Sequence, residues 1–215
     1  MSFIDRFGIE AKKVLVFKKV SRCILLGILP AALFYSIALF WLRYSGFMIM
    51  EILRDPAQQS GESSFLGFLS NIGIWLWVSS AAICFFTIAA RDSTLKSSHR
   101  ELLILTGMLS LLLAVDDFFL IHDRYIDQYI CYLVYAFVAL AILIRHNQQI
   151  LVVEGFAFLV AGSFLALSIL TDLLQSYSPL SYTYTQVFEE GFKFIGAATW
   201  LYFNARMASF QLSPD

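Results

Sequence analysis

Long apolar segments separated by short polar connections dominate the pattern of the chain. Six of these segments, at roughly residues 22–43, 65–90, 101–122, 129–145, 150–172 and 186–206, are each long enough to cross a bilayer, whose hydrocarbon core is about 30 Å thick. The fourth segment is the shortest. The pattern predicts an all-α, polytopic integral membrane protein in which residues 22–206 form a six-helix transmembrane bundle.

The two ends of the chain have a different pattern. From Ile4 to Val14, apolar residues recur at helical spacing opposite a basic face, which is typical of a helix that lies on a membrane surface. Acids and lysines interrupt these apolar residues, so the segment does not resemble a signal peptide. We expect an N-terminal amphipathic interfacial helix at residues 1–21 and a short cytoplasmic tail at residues 207–215.

The basic residues predict the orientation. If the N-terminus is cytoplasmic, eleven Lys and Arg residues near the membrane boundaries lie inside and only Arg43, Arg54 and Arg124 lie outside. Such an asymmetry follows the positive-inside rule. We expect both termini in the cytoplasm, with the chain in the inner membrane if the cell is bacterial. The first outer connection contains FMIMEILRDP, which predicts a short interfacial helix that stops at Pro56.

Composition agrees with a membrane protein and excludes some partners. Hydrophobic residues make up 59% of the chain and charged residues 14%, against about 25% charged in soluble domains. The net charge of -1 comes without a basic run, so membrane lipid and not nucleic acid is the expected partner. The three cysteines lie in separate apolar segments, a pattern that predicts neither a disulfide framework nor a zinc site.

The adjacent acids Asp116 and Asp117 are the strongest candidates for function. They lie near the end of an otherwise apolar segment, where an ionised side chain costs about 2.5 to 3.5 kcal/mol on insertion scales. Acids placed there usually face protein or water and mark a functional site. The helix macrodipole also opposes negative charge at a C-terminal end. The first candidate site therefore centres on these two carboxylates.

Polar residues of four predicted helices reach one layer near the outer surface. At a rise of about 1.5 Å per residue, Asp116, Lys193 and Asn71 each lie about 9 Å below the outer boundary of their segments. Glu189 and Glu190 lie nearer the surface. The residues that share this layer are Asn71, Asp116, Asp117, Asp172, Glu189, Glu190 and Lys193. Helices two, three, five and six are thus predicted to form an acidic pocket in the outer leaflet.

Helical projection predicts which of these side chains face one another. Asp116, Asp117 and Asp123 share one face, whereas His122 points away from it unless the end of the helix frays. Lys193 is placed to pair with Glu189 one turn above it, and it can also pair with Asp116 or Asp117 of helix three.

Helix six has two further features. Glu189 and Glu190 are predicted in its first turn, where the macrodipole favours acids. Below Lys193, Gly196 and Ala197 are small enough to let helix two or three approach closely.

The charges of this layer do not balance. Five carboxylates stand against Lys193 and, nearer the surface, Arg124. Either some carboxyl groups are protonated or a cation occupies the pocket. A candidate divalent-cation site would use carboxylates and one histidine, which suit manganese, iron, calcium or magnesium. The candidate ligands are Asp117, Glu190, His122 and Asp123.

Three functions remain open on the sequence alone. The acidic pocket could bind a cation or proton, as in a small transporter or channel-like unit, although only Asn204, Ser79, Ser80 and Trp75 offer polar groups in the inner half. A membrane-embedded, metal-dependent enzyme acting on lipid or lipid-linked substrate at the outer surface is the alternative. In the third, the chain is a structural or assembly subunit and its partner is a membrane complex.

Overall fold

A computed structural model describes residues 21, 25, 28–53, 56–63, 65–91, 95–177, 179 and 181–212. These residues are helical or lie in turns, and none is in a strand. The predicted interfacial helix falls almost wholly outside the described residues, as do residues 213–215 of the predicted tail. The chain divides into two units, Met1–Leu66 and Gly67–Asp215, and each is described by itself.

The first unit contains three described helices, α1 (Leu29–Tyr44), α2 (Ile49–Leu53) and α3 (Pro56–Ser60). After α1 the chain turns at Gly46, whose φ of 102° favours glycine. The short helix predicted before Pro56 is present and ends at Leu53. Pro56 begins α3, because proline fits the first position of a helix, where its missing N–H costs nothing.

The second unit contains most of the long helices and all of the candidate site. Its helices are α4 (Phe68–Ala90), α5 (Ser97–Phe119), α6 (Ile121–Arg124), α7 (Gln128–Leu173) and α8 (Tyr182–Leu212). A short 3₁₀ turn, Gln175–Tyr177, separates the last two. The sixth segment was predicted to begin at residue 186, whereas the corresponding helix, α8, begins at Tyr182.

Helix α7 is a hairpin and not one straight rod. Its backbone leaves the helical conformation at His146 (φ −117°, ψ 21°) and Glu154 (φ −160°, ψ 56°). In a straight helix Tyr132 and Asp172 would stand about 60 Å apart, yet the Tyr132 hydroxyl donates to Asp172 Oδ2 at 2.8 Å. The two limbs, residues 128–145 and 155–173, therefore pack against each other, in agreement with the fourth and fifth segments predicted.

Within the described residues, three helices are long and apolar enough to cross a membrane, as expected of a membrane protein: Phe68–Ala90, Ser97–Phe119 and Gln128–Leu173. Helix α1 has 16 described residues, short of the about 20 that a crossing needs. Helix α8 is long but carries Glu189, Glu190, Lys193 and Arg206. The all-helical prediction is confirmed for the described residues, whereas the number of six crossings stays a prediction.

An apolar stripe runs along the outside of the first limb of α7. Leu133, Phe137, Leu140 and Ile144 recur at helical spacing and are 54–74% exposed. A contiguous apolar surface of this kind is rare on soluble monomers. Contact with lipid chains accounts for it.

The core of the second unit contains a network of buried hydrogen bonds. The indole of Trp200 donates to Ser110 Oγ at 2.8 Å, and Ser110 donates to Ser80 Oγ at 3.2 Å. Asn204 Nδ2 donates to the same Ser80 oxygen at 2.7 Å, and the Cys84 thiol donates to Asn204 Oδ1 at 3.3 Å. These bonds join α4, α5 and α8, because polar side chains in an apolar core must satisfy one another.

This network includes two of the four polar residues that the sequence offered for a path. Asn204 and Ser80 are fully buried partners of each other. Ser79 and Trp75 lie on the exposed outside of α4, where the Trp75 side chain is 65% exposed. Two of the four residues therefore join helices, and the other two lie on the outside of α4.

Gly196 marks the closest approach of α8 to a neighbour. A β-carbon at this position would lie 2.8 Å from Leu165 Cδ2 and 3.2 Å from the Leu165 backbone nitrogen. The partner is thus the second limb of α7, and the expectation of helix two or three was wrong. On the side of α8 that faces α4 and α5, the larger Trp200 and Asn204 make the contacts. The space left by the missing side chain of Gly196 therefore faces α7.

Candidate functional site

The end of α5 determines the shape of the site. The helix stops at Phe119, and Leu120 has a φ of 54°, the left-handed conformation that costs a non-glycine residue about 1–2 kcal/mol. The backbone N–H of His122 donates to Asp116 Oδ1 at 2.9 Å. The regular helix thus ends before His122, the exception that the sequence left open, and His122 lies against the acids instead of pointing away from them.

Asp116 holds His122 through a second bond. Asp116 Oδ2 lies 2.8 Å from His122 Nδ1, and the aspartate is only 3% exposed. A carboxylate on one ring nitrogen fixes the orientation of the imidazole and makes the other nitrogen more basic. That other nitrogen, Nε2, lies 3.5 Å from Asp123 Oδ1.

His122 lies in α6, in the connection between two candidate membrane-spanning helices. The hydrogen bond that His122 makes to the Asp116 carboxylate raises the pKa of the imidazole above its usual value, and the opposing effect of burial is smaller. The negative charges of Asp116, Asp123 and Asp117 act in the same direction as the hydrogen bond. The surrounding carboxylates therefore favour the charged imidazolium more than water does.

This raised pKa predicts a stability change with pH. The protonated pair stabilises the folded state fully below the ordinary histidine value of about 6.5, and the contribution is lost as pH rises through the higher folded-state value. Between about pH 6 and pH 9, we expect the melting temperature of the wild type to fall more than that of His122→Gln. Thermal unfolding in detergent micelles measures both, and parallel curves would refute the pair's contribution.

Lys193 forms the second charged group of the site. Its Nζ donates to Glu190 Oε1 at 2.8 Å and lies 3.9 Å from Asp117 Oδ1. The predicted link between helix six and helix three is therefore made through Asp117. The predicted pair with Glu189 is not formed, because Glu189 Oε2 accepts from Gln186 Nε2 at 2.8 Å.

The start of α8 changes the account of these glutamates. Because the helix begins at Tyr182, Glu189 and Glu190 lie beyond its first turn, where the macrodipole no longer provides their stabilisation. Their placement inside the unit instead follows from side-chain partners. The interpretation of the two glutamates as first-turn acids was wrong.

Other sequence candidates lie farther from this centre. Asn71 is exposed near the start of α4 and does not line the cavity described below. Asp172 accepts the Tyr132 hydroxyl instead. Sequence reasoning missed Trp77, which is 1% exposed and whose indole donates to Asp117 Oδ2 at 3.1 Å. In the sequence, Trp77 is visible only as a tryptophan within an apolar segment, which does not indicate a bond to an acid.

These side chains surround one cavity of about 240 Å³. We call Asp116, Asp117, His122, Glu189, Glu190 and Lys193 the charged cluster. All of them except Glu190 line the cavity. Apolar side chains from α5 and from both limbs of α7 form the rest of the wall, and Trp77 and Trp200 also lie on it. The apolar wall residues include Leu109, Leu113, Ala139, Phe158, Leu165 and Ile169.

One comparison with known proteins gives a family. A family model matches residues 23–207. The chain belongs to DUF8692, a domain of unknown function. No curated protein and no solved structure matches it. The matched range includes the whole charged cluster, so the site belongs to the DUF8692 domain itself.

The DUF8692 domain also brings together potential metal ligands. One ligand atom from each of Asp116, Asp117 and His122 lies within 4.8 Å of the others, a spacing that carboxylate and imidazole ligands of one divalent ion could adopt. Of the sequence-predicted ligands, Asp117 and His122 are in this group. Glu190 is engaged by Lys193, and Asp123 lies 54% exposed at its edge.

The excess of acids persists in the folded DUF8692 domain. Asp117 and Glu190 share Lys193, and Asp116 contacts the imidazole of His122. Glu189 contacts a neutral amide. The cluster can therefore accept a proton or a cation, and Lys193 offers an ammonium group to an anion.

Proposed function

We propose that the protein is a membrane-embedded enzyme for an amphiphilic substrate, a lipid or lipid-linked molecule. The single observation that supports this is that five residues of the charged cluster and the apolar side chains line the same cavity. The apolar chain of the substrate would occupy the space beside Leu113, Leu165 and Ile169. Its polar end would then lie against Asp116, His122 and Lys193.

The Asp116–His122 pair supplies the chemistry in this proposal. An imidazole held by a carboxylate on Nδ1 can take or give a proton through Nε2, the arrangement used for general acid–base catalysis. Lys193 would hold an anionic group of the substrate. Acid–base catalysis of this kind contributes about 10²–10⁴-fold to a rate.

The arrangement of the core favours a binding cavity over a conduit. Trp200 lines the cavity and donates a hydrogen bond to Ser110, which donates in turn to Ser80. Asn204 donates to the same Ser80 oxygen. These residues are buried and satisfied by one another. An indole N–H only donates hydrogen bonds, so Trp200 cannot relay a proton from the cluster into this network.

Filling the cavity tests the proposal. Gly162 lines the cavity, and a β-carbon there would meet no atom within 4 Å. We expect Gly162→Leu to fold but to lose a copurifying amphiphile by at least about tenfold, which is about 1.4 kcal/mol of binding. Mass spectrometry of lipids extracted from purified protein measures the loss.

A matched control exists in α4. Gly73 has equally open surroundings and does not line the cavity, so Gly73→Leu should keep the amphiphile at the wild-type level. If all three proteins carry the same lipids in the same amounts, the cavity does not select a ligand and the proposal fails.

The second candidate is a cation or proton site of a small transporter or channel-like unit. The convergence of Asp116, Asp117 and His122 favours it. Elemental analysis of the same preparations separates the two. A stoichiometric divalent metal that remains in Gly162→Leu while no amphiphile copurifies with any variant would favour the cation site. In the assembly-subunit alternative, neither ligand would be bound.

For the topology, we propose six crossings made by α1, α4, α5, the two limbs of α7 and α8, with both termini in the cytoplasm. The fold-back of α7 supports two crossings within that one element. The distribution of Lys and Arg supports the orientation. The charged cluster would then lie in the outer leaflet, beside the lipid headgroups.

A further inference from the structure

A second cleft lies next to the cavity and has a different chemistry. Its volume is about 540 Å³, and its walls come from both ends of α7, the turn after it and the start of α8. Tyr132 lines the cavity and Asp172 lines the cleft. The hydrogen bond between them, 2.8 Å long, therefore lies in the wall between the two spaces.

The cleft presents many neutral hydrogen-bonding groups. Gln128 and Gln175 lie in its wall, and neither side-chain amide has a partner in the part of the chain that the structure describes. Each amide offers two donors and an acceptor. Ser176 and Thr185 add hydroxyl groups, and Asp172 adds a carboxylate.

Two aromatic rings complete the wall. Tyr129 is 58% exposed and Tyr182 is 68% exposed. A tyrosine offers an apolar ring face together with a polar tip. Such a ring can cover the C–H face of a sugar while amides and hydroxyls bond to its edge.

Several other ligand classes fit less well. None of the described residues that line the cleft is Lys, Arg or His, so they offer no cationic donor of the kind that binds a phosphate most strongly. Among its described lining residues, Leu173 is the one aliphatic side chain, which is too little wall for an acyl chain. A quaternary ammonium group would leave both glutamines unused, because it cannot form hydrogen bonds.

We propose that the cleft binds the neutral polyhydroxyl headgroup, a glycosyl group, of the amphiphile whose chain occupies the cavity. The proposal rests on the proposed function for the position of the chain. Asp172 and the amides of Gln128 and Gln175 would bond to the sugar hydroxyls. The Tyr132–Asp172 pair lies between the cleft and the cavity, so the first atoms of the headgroup would lie beside this pair and close to the charged cluster.

Three probes with the same twelve-carbon chain test the headgroup. We would measure binding of dodecyl maltoside, dodecylphosphocholine and tetraethylene glycol monododecyl ether to the full chain in lipid nanodiscs. The wild type should bind the maltoside at least about tenfold more tightly than the other two, or about 1.4 kcal/mol. Gln175→Leu should remove this preference, and Gln148→Leu, an exposed glutamine outside the cleft, should keep it.

The cavity variant keeps the two proposals distinguishable. Gly162→Leu should weaken all three probes equally, because they share the chain. Equal binding of the probes to the wild type, with all three weakened by Gly162→Leu, would overturn the glycosyl headgroup and support the amphiphile cavity. Tighter binding of the phosphocholine would also overturn it. A maltoside preference lost in Gln175→Leu but insensitive to Gly162→Leu would support the cleft and overturn the cavity as the chain site.

Discussion

Replacing Asp116 by asparagine is expected to lower turnover of the bound amphiphile by about 10²–10⁴-fold while the protein stays folded. Asparagine keeps the size of the side chain, and its oxygen can still accept the His122 backbone N–H, now 2.9 Å from Asp116 Oδ1. It carries no charge to hold the imidazolium at 2.8 Å. The His122 pKa should fall, because the hydrogen bond that raises it most is weakened.

The pH profile distinguishes a positioning role from a structural one. In Asp116→Asn the limb of the turnover profile that reports His122 should move to lower pH, and the maximum rate should fall. Assaying conversion of the copurified amphiphile across the pH range measures both. A lower rate with an unmoved profile would contradict the assignment of Asp116 as the residue that positions His122.

Asp127 supplies the control for this substitution. Its carboxylate is exposed and accepts the Tyr129 backbone N–H at 2.9 Å, which caps the start of α7. Asparagine caps a helix about as well as aspartate. Asp127→Asn should therefore leave turnover within about twofold of the wild type. If Asp116→Asn loosens the fold and no variant affects any bound ligand, the assembly-subunit alternative gains support.

The apolar pattern predicted the long helices well, because length and continuous hydrophobicity largely determine where such helices form. The segment predicted at 65–90 becomes Phe68–Ala90, and the segments at 129–145 and 150–172 correspond to the limbs of α7. The two segments were predicted as separate because polar residues 146–149 lie between them, and the chain leaves the helical conformation at His146. Where the chain turns sharply at polar residues, local sequence was sufficient.

The break at Leu120 could not be read from the sequence. The residues from Phe118 to Ile121 are apolar and include neither glycine nor proline, so every local signal continues the helix. The turn depends on Asp116, which binds the N–H of His122 from within the preceding helix. A projection that assumes an unbroken helix therefore placed His122 on the wrong side.

The candidate residues were more predictable than their pairing. A charged residue in an apolar segment is conspicuous because burial of its charge is costly, and the sequence singled out Asp116, Asp117 and Lys193 on that basis. Which acid meets which base depends on side-chain positions across three helices. Trp77 was missed because an aromatic residue in an apolar segment looks the same whether or not it donates to a carboxylate.

Gly196→Val is expected to give the largest loss of stability, about 3 kcal/mol or more. A β-carbon there would lie 2.8 Å from both Cγ and Cδ2 of Leu165 and 3.2 Å from its backbone nitrogen. The side chain can rotate, but the nitrogen moves only if the second limb of α7 moves. Unfolding in mixed micelles with increasing denaturing detergent measures the loss.

Gly191 is the matched control, since it lies in the same helix and a β-carbon there would meet nothing within 4 Å. Gly191→Val carries the same helix propensity change and should cost less than about 0.5 kcal/mol. Equal losses in the two variants would mean that helix propensity, and not the approach of α7, determines the result. Adding Leu165→Ala to Gly196→Val should restore only part of the stability, because it removes the contacts to Cγ and Cδ2 and leaves the contact to the backbone nitrogen.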